Sequence, residues 1–327
     1  MKDIQQVKYD VADYVKIGIG LFIAILAILA MFSTPTSKVQ LPSQLAMSST
    51  IAVQQPAWLL LAIGFAIGCY GTIVGIGGGP LILPLLVFFY GWENEILVAT
   101  TLFIVFLNAA SGCSGYAMQK RIDYKGGIQF TAAAIPGALI SGYFHHLVNL
   151  SFFNIIFGLF LLFLAIYTMF SVSKVARTAA MKKADIKKAE AEGHRLVRFT
   201  DRFGIKYKFY ANDKLGISMN LLLGFFCGFL GIGGGVFQVP ILLFLLFYPL
   251  HIATATSHFV TFMTCGIALL PHLFFGNIMF GQAIWMGIGV VAGAQVGARI
   301  AAKLNSKVTL YLFIIILFVF AIKLFLL

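Results

Sequence analysis

Gly75-Ile76-Gly77-Gly78-Gly79 recurs unchanged as Gly231-Ile232-Gly233-Gly234-Gly235, each copy set in apolar sequence with a proline further on, Pro84 and Pro240. The register holds far beyond the glycines at one constant offset. Ala99-Thr100 matches Ala255-Thr256, Phe103 matches Phe259, Ile122 matches Ile278, Gly137-Ala138 matches Gly293-Ala294, and Ala165-Ile166 matches Ala321-Ile322. The chain is therefore internally duplicated. Two copies of one apolar unit, each with a helix broken at the same place, are what secondary transporters are built from.

Composition sets the class. With 60% hydrophobic residues, 10% charged residues, 33 Phe and a mean hydropathy of +0.96, the chain reads as an integral membrane protein. A net charge of +12 raises the question of nucleic acid, but the excess is localised. Twelve Lys and Arg against five Asp and Glu between Ser171 and Gly216 place +7 of it in one hydrophilic segment, the signature of a cytoplasmic loop. The cysteines, Cys69, Cys113, Cys227 and Cys265, all sit in apolar stretches, none at the repeat equivalent of another, and read as small helix-packing residues.

Four regions follow. Residues 1–56 hold a short tail, an apolar helix from Lys16 to Phe32 retained as a membrane span, and a Ser/Thr/Pro/Gln-rich extracytoplasmic linker. Residues 57–170 form repeat one, 171–216 the basic loop and 217–327 repeat two. Apolar segments fall at roughly 57–74, 80–90, 97–118, 127–147 and 152–170, and again at roughly 217–230, 236–248, 254–275, 282–302 and 308–326. The two flanking each glycine run are short against the ~20 residues a full span needs, so they read as arms of a re-entrant hairpin or a short helical pair.

Parity then fixes the architecture. A hairpin returns the chain to its starting side and three further helices leave it on the other, so each repeat inverts the chain. The basic residues agree. An inside amino terminus puts Lys120, Arg121 and Lys125, the basic loop, and Arg299, Lys303 and Lys307 in the cytoplasm. It puts Gly91–Glu95, His146–Ser151 and Gly276–Gly281, which contain no Lys or Arg, outside. The expected fold is an all-α, multi-pass protein of the cell (inner) membrane with a cytoplasmic amino terminus. It comprises two inverted-topology repeats, each a glycine-broken hairpin plus three transmembrane helices, and one extra amino-terminal helix.

The glycine runs lack the Lys-Ser/Thr of a P-loop and the strand and acidic partner of a dinucleotide fold. Close helix packing explains one such run. Three consecutive glycines twice over point further, because they destabilise helix and free backbone N–H groups that lipid cannot satisfy. Such backbone is tolerated where it lines a cavity, and N–H groups opening a half-helix attract anions. The candidate substrate-binding residues are thus Gly75, Gly77, Gly78, Gly79, Gly231, Gly233, Gly234 and Gly235, with Gln238 within reach of the second run. On the following helices, Thr101, Asn108, Gly112 and Gly115 share one face, as do Ser257, Thr261, Thr264 and Ala268. Thr100, Thr256 and His258 adjoin these stripes. The competing explanation is that each hydroxyl bonds back to its own helix.

The motifs resemble one family. Gly-Ile-Gly-Gly-Gly with a proline-bearing Leu/Ile run, then Ala-Thr-Thr-Leu-Phe or Ala-Thr-Ser-His-Phe, then Gly-Asn-Ile at 276–278 and Ala-Gly-Ala-Gln-Val-Gly-Ala-Arg at 292–299, look like the TauE/SafE sulfite exporters, also called the toluenesulfonate uptake permease family. The resemblance covers about 57–327 and implies secondary transport of a small sulfur-containing anion such as sulfite, thiosulfate, sulfoacetate or an aromatic sulfonate. The extra helix and the basic loop are departures from it.

Other features are secondary. His145-His146 and His251 lie near helix ends, and His258 and His272 deeper, where helix–helix hydrogen bonds account for them; none has metal-ligand spacing. Lys174–Glu192 reads as a solvated helix, and Arg202–Tyr210, alternating basic and aromatic residues, as a segment on anionic headgroups. The expectation is a carrier with no catalytic residues, no cofactor and no metal, its partners being the anion, membrane lipid and a second copy of itself. A gated anion channel on the same scaffold and a membrane-embedded sulfur-handling enzyme are the alternatives, the latter lacking a nucleophile, base and orienting group near the glycines.

Overall fold

The computed structural model describes residues 55–90, 92, 94–144, 193–230 and 233–325, with isolated positions between 159 and 170. The amino-terminal helix, His145-His146, the Lys174–Glu192 segment, Gly231 and most of 152–170 lie outside the described residues. What is described is mostly helical: α1 (Ala57–Val74), α2 (Gly79–Tyr90), α3 (Asn94–Met118), α4 (Tyr124–Phe144), α5 (Asp213–Leu230), α6 (Gly235–Pro240) running on into a π-helical turn (Ile241–Leu245), α7 (Leu250–Phe275), α8 (Phe280–Lys303) and α9 (Ser306–Phe325). Among the described residues, α1, α3 from Glu95, α7 and α8 are long and apolar enough to cross a membrane. Their outer faces carry exposed Trp58, Phe65, Leu270, Trp285 and Ile288, as a lipid solvent requires.

The segment limits follow the sequence closely, but the hairpin arms are unequal. At 1.5 Å per residue the 18 residues of α1 and of α5 nearly span a bilayer, whereas α2 has 12 and α6 with its π turn stops after 11. Only the returning arm is short.

Small residues hold the bundle together. Gly64 and Gly68 of α1 meet the backbone of Met286 and Val290 on α8, and Gly289, Gly293 and Gly297 of α8 meet α1 in return. Gly137 of α4 and Gly224 of α5 press on each other's helices in the same way. In lipid no hydrophobic drive brings helices together, so this close backbone approach supplies the attraction. Gly68 and Gly224 are 156 positions apart, as are Gly137 and Gly293 and the two glycine runs. The first helix of one half therefore packs on the fourth helix of the other, twice. Between them α3 and α7 cross, with Phe106 stacked on Phe262 at 5.2 Å between ring centroids, again residues 156 apart.

One part of the fold is not helical. Arg195–Thr200 (β1) and Lys206–Ala211 (β2) pair antiparallel from Arg195↔Ala211 to Thr200↔Lys206. The helical reading of the sequence does not include this hairpin: the basic–aromatic alternation of Arg202–Tyr210 also has the two-residue period of a strand, with Lys206 and Lys208 exposed on one face and Phe209 buried on the other. Asp201 Oδ1 shapes the turn by accepting the N–H groups of Phe203 and Ile205, both at 2.9 Å. Its Oδ2 accepts Nε and Nη2 of Arg121, at 3.1 and 2.9 Å, both side chains being buried. Arg195 binds Asp123 and Asp213, each at 2.6 Å, and Tyr248 donates to Asp123 at 2.8 Å. Burial opposes the charge on Arg195, but the two carboxylates outweigh it and raise its pKa. The hairpin is thereby clamped to the α3–α4 loop, the start of α5 and the segment joining the π turn to α7.

Candidate substrate site

The first glycine run ends one helix and begins another. Gly75, at φ +92°, closes α1 with its N–H and that of Ile76 on the Gly71 carbonyl, both at 2.9 Å, a left-handed cap that glycine adopts without strain. Gly77 and Gly78 keep positive φ, and α2 restarts with Leu81 N and Ile82 N donating to Gly78 O. The second run does likewise: Gly233 and Gly234 have φ of +81° and +64°, and Phe237 N and Gln238 N donate to Gly234 O.

The two breaks meet. Gly235 lies on the backbone of Ile76, and Gly77 and Gly233 both lie against Val105 of α3 and Thr261 of α7. Ser257 Oγ of α7 donates to Gly75 O at 2.9 Å, tying the second polar stripe to the first break. Asn108 Nδ2 faces Gly78, while its Oδ1 accepts Thr72 Oγ1 at 3.3 Å. Beside the second break, Asn220, Cys227, Gly234, Gln238, Thr261 and Thr264 line a cavity of about 10 Å³, room for one water.

The expected site residues fall in different places. Gly77, Gly78, Gly79, Gly233, Gly234, Gly235, Asn108, Gln238 and Ser257 gather at the breaks. Thr264 lines the cavity, but its hydroxyl donates back to Val260 O at 2.8 Å, the intrahelical bond weighed as the competing explanation. Thr100 and Thr256 sit away from it: Thr100 Oγ1 accepts Met279 N at 3.2 Å and Thr256 Oγ1 accepts Asp123 N at 3.1 Å, one contact repeated across the halves. Thr101 is buried with its hydroxyl unpartnered, and His258 is held edge-on to Tyr116 against Gly112 with neither ring nitrogen hydrogen-bonded, so the helix–helix hydrogen bond expected for it is absent. Four contributors went unmarked in the sequence. Thr72, Asn220, Cys227 and Cys265 reach the breaks only through the packing of α1, α5 and α7, and no motif or repeat equivalent distinguishes them.

Two of the polar groups at the breaks are donors without partners. Asn108 Nδ2 and Gln238 Nε2 are buried and unsatisfied, as is the Asn220 acceptor Oδ1. Among the described residues, the buried guanidinium and carboxylate side chains are Arg121, Asp123 and Asp201, all at the hairpin end. The centre thus offers neutral amide, hydroxyl and backbone groups.

The family model described as the sulfite exporter TauE/SafE matches residues 60–324 and, separately, 7–119. The chain belongs to the TauE/SafE family. The second match reaches over the amino-terminal segment that the sequence sets apart from the repeats. Among curated relatives of this TauE/SafE protein is the probable membrane transporter protein YunE of Bacillus subtilis, 28% identical over 79% of this chain and 93% of that one. A second, MJ0441 of Methanocaldococcus jannaschii, also named a probable membrane transporter protein, is 27% identical over 76% and 88%. No solved structure matches significantly. The TauE/SafE protein is therefore a membrane transporter.

Proposed function

We propose that this protein is a secondary carrier of a small sulfur-containing oxyanion such as sulfite, thiosulfate or a sulfonate, bound at the two glycine breaks. One observation carries the reading: two buried, unpartnered amide donors, Asn108 Nδ2 and Gln238 Nε2, point at Gly78 and into the Gly234 cavity. An unmet donor away from water is costly unless a ligand meets it, and an oxyanion has acceptor oxygens to do so. Neutral donors also release an anion that a buried Lys or Arg would hold.

The scaffold we infer is a pair of inverted repeats in the cell (inner) membrane, with a cytoplasmic amino terminus. Its support is the reciprocal packing of α1 on α8 and α5 on α4, the Phe106–Phe262 pair, and the matched Thr100–Met279 and Asp123–Thr256 bonds. The α3–α4 loop, the β-hairpin and Tyr248 sit together at one end, which parity and the basic residues assign to the cytoplasm. A thermal-shift screen of sulfite, thiosulfate, sulfate, taurine and sulfoacetate tests the reading. A ligand at a hundred times its Kd adds about 2.7 kcal/mol of stability, so stabilisation by at least one sulfur oxyanion is expected, and none by any of them counts against it.

A further inference from the structure

The two breaks share a backbone plan but not a chemistry. Asn220, Cys227, Gln238 and Thr261 line the second; the residues 156 positions earlier are Gly64, Gly71, Ile82 and Val105. The polar lining is concentrated in the second half of the chain.

Its hydrogen-bonding capacity is mixed. Asn220 Nδ2 donates to Gly216 O, one turn back, at 2.9 Å, and because a carbonyl only accepts, this bond fixes which way the amide faces. Asn220 Oδ1 is left buried and unpartnered at 1% residue exposure, in the same cavity as the unpartnered donor Gln238 Nε2 at 2%. Thr264 donates to Val260 O and its oxygen accepts from the Cys227 thiol at 3.8 Å, so it has no free proton for the ligand. A ligand with acceptors alone satisfies Gln238 and leaves Asn220 unpaired, its carbonyl dipole directed at a negative charge. A ligand with acceptor oxygens and one O–H satisfies both.

We infer that the second break selects the protonated monoanion of an oxyanion, hydrogen sulfite rather than the sulfite dianion, with Gln238 donating to an oxygen and Asn220 accepting the O–H. This rests on the carrier reading above and names its substrate class. Because the cavity has room for only one water, the break at Gly234 widens around the ligand. The proton then travels on the substrate, one per anion, and the carrier needs no titrating side chain at membrane depth.

The ionisable groups at this break are the thiols of Cys227 on α5 and Cys265 on α7, which face Gly234 and Gly233; α4 presents Ala134 and α6 presents Gln238, neither ionisable. His258 of α7 lies against Gly112 of α3 instead. Calorimetric titration of the purified full-length protein with sulfite and with methanesulfonate, from pH 6 to pH 8.5, isolates the substrate's proton, since methanesulfonate is a monoanion throughout and carries no O–H. Sulfite affinity should be flat on the acid side and fall about tenfold per pH unit once sulfite has titrated, near neutrality. Methanesulfonate should bind at least tenfold more weakly at pH 6 and show no pH dependence; a parallel fall for both would indict the thiols and overturn the inference. Asn220→Leu should close the gap between sulfite and methanesulfonate at pH 6, chiefly by lowering sulfite affinity, whereas Gln238→Leu should weaken both. Sulfite affinity that is constant or rises with pH overturns the inference from the wild-type protein alone, whether or not the variants fold. Absence of binding by sulfite, thiosulfate and methanesulfonate at every pH sinks the carrier reading, and this inference with it.

Discussion

Removing the charge of Asp201 should unclamp the hairpin and destabilise the whole protein. Asp201 Oδ2 holds both Nε and Nη2 of Arg121, whose side chain is 1% exposed, and Nη1 of the same guanidinium is already unpartnered. In Asp201→Asn the turn keeps an acceptor for the Phe203 and Ile205 N–H groups, so the local hairpin geometry is largely spared. Arg121 is left as a buried, uncompensated cation over the Phe203 ring, 5.2 Å from its centroid. Breaking one side of a buried pair costs about 3–5 kcal/mol, most of it the desolvated charge that remains. Arg121→Met in addition removes that charge and fills the space, so the double variant should recover most of the loss. Thermal unfolding of purified protein in detergent reads this out, with a drop of several degrees for Asp201→Asn and partial recovery for the double variant. A single variant within about 1 kcal/mol of wild type, or losses that simply add, would refute the reasoning, because surface ion pairs behave that way.

Two further outcomes follow from the same account. Single cysteines at Gly91 and Phe247, repeat equivalents, introduced into a cysteine-free background should react with an impermeant maleimide from opposite membrane faces, and labelling from one face would end the inverted-repeat proposal. His258→Gln and His272→Gln should retain most of the sulfite flux in proteoliposomes, since the proton rides on the anion. Loss of uptake driven by a pH gradient in either variant, with downhill exchange intact, would place the proton on the protein.

The breaks and helix limits were legible because glycine is punctuation with a physical cause. Runs such as Gly77-Gly78-Gly79 cannot stay helical cheaply, and their recurrence at one offset exposes the duplication. The β-hairpin was not legible from Arg202–Tyr210 alone. Period-two alternation in a Lys-rich stretch reads equally as a headgroup contact, and what decides for a strand is its partner Arg195–Thr200 and the Asp201 turn seated on Arg121. Thr100 and Thr256 looked like site residues because they flank the hairpins, yet each caps a loop of the opposite half. Asn220 went unnoticed for the converse reason: its repeat equivalent is Gly64, and only the packing of α5 against α6 and α7 turns one amide in an apolar helix into part of a cavity.

Counterflow in proteoliposomes tests the central claim most directly. Vesicles loaded with unlabelled sulfite and diluted into labelled sulfite should accumulate label transiently above equilibrium, the signature of a carrier. Gly78→Leu and Gly234→Leu, which put a large side chain where φ is +80° and +64° and where Asn108 and Cys227 close in, should abolish it while the proteins remain monodisperse. Equilibration without overshoot in the wild type, or full overshoot in both leucine variants, would contradict the account.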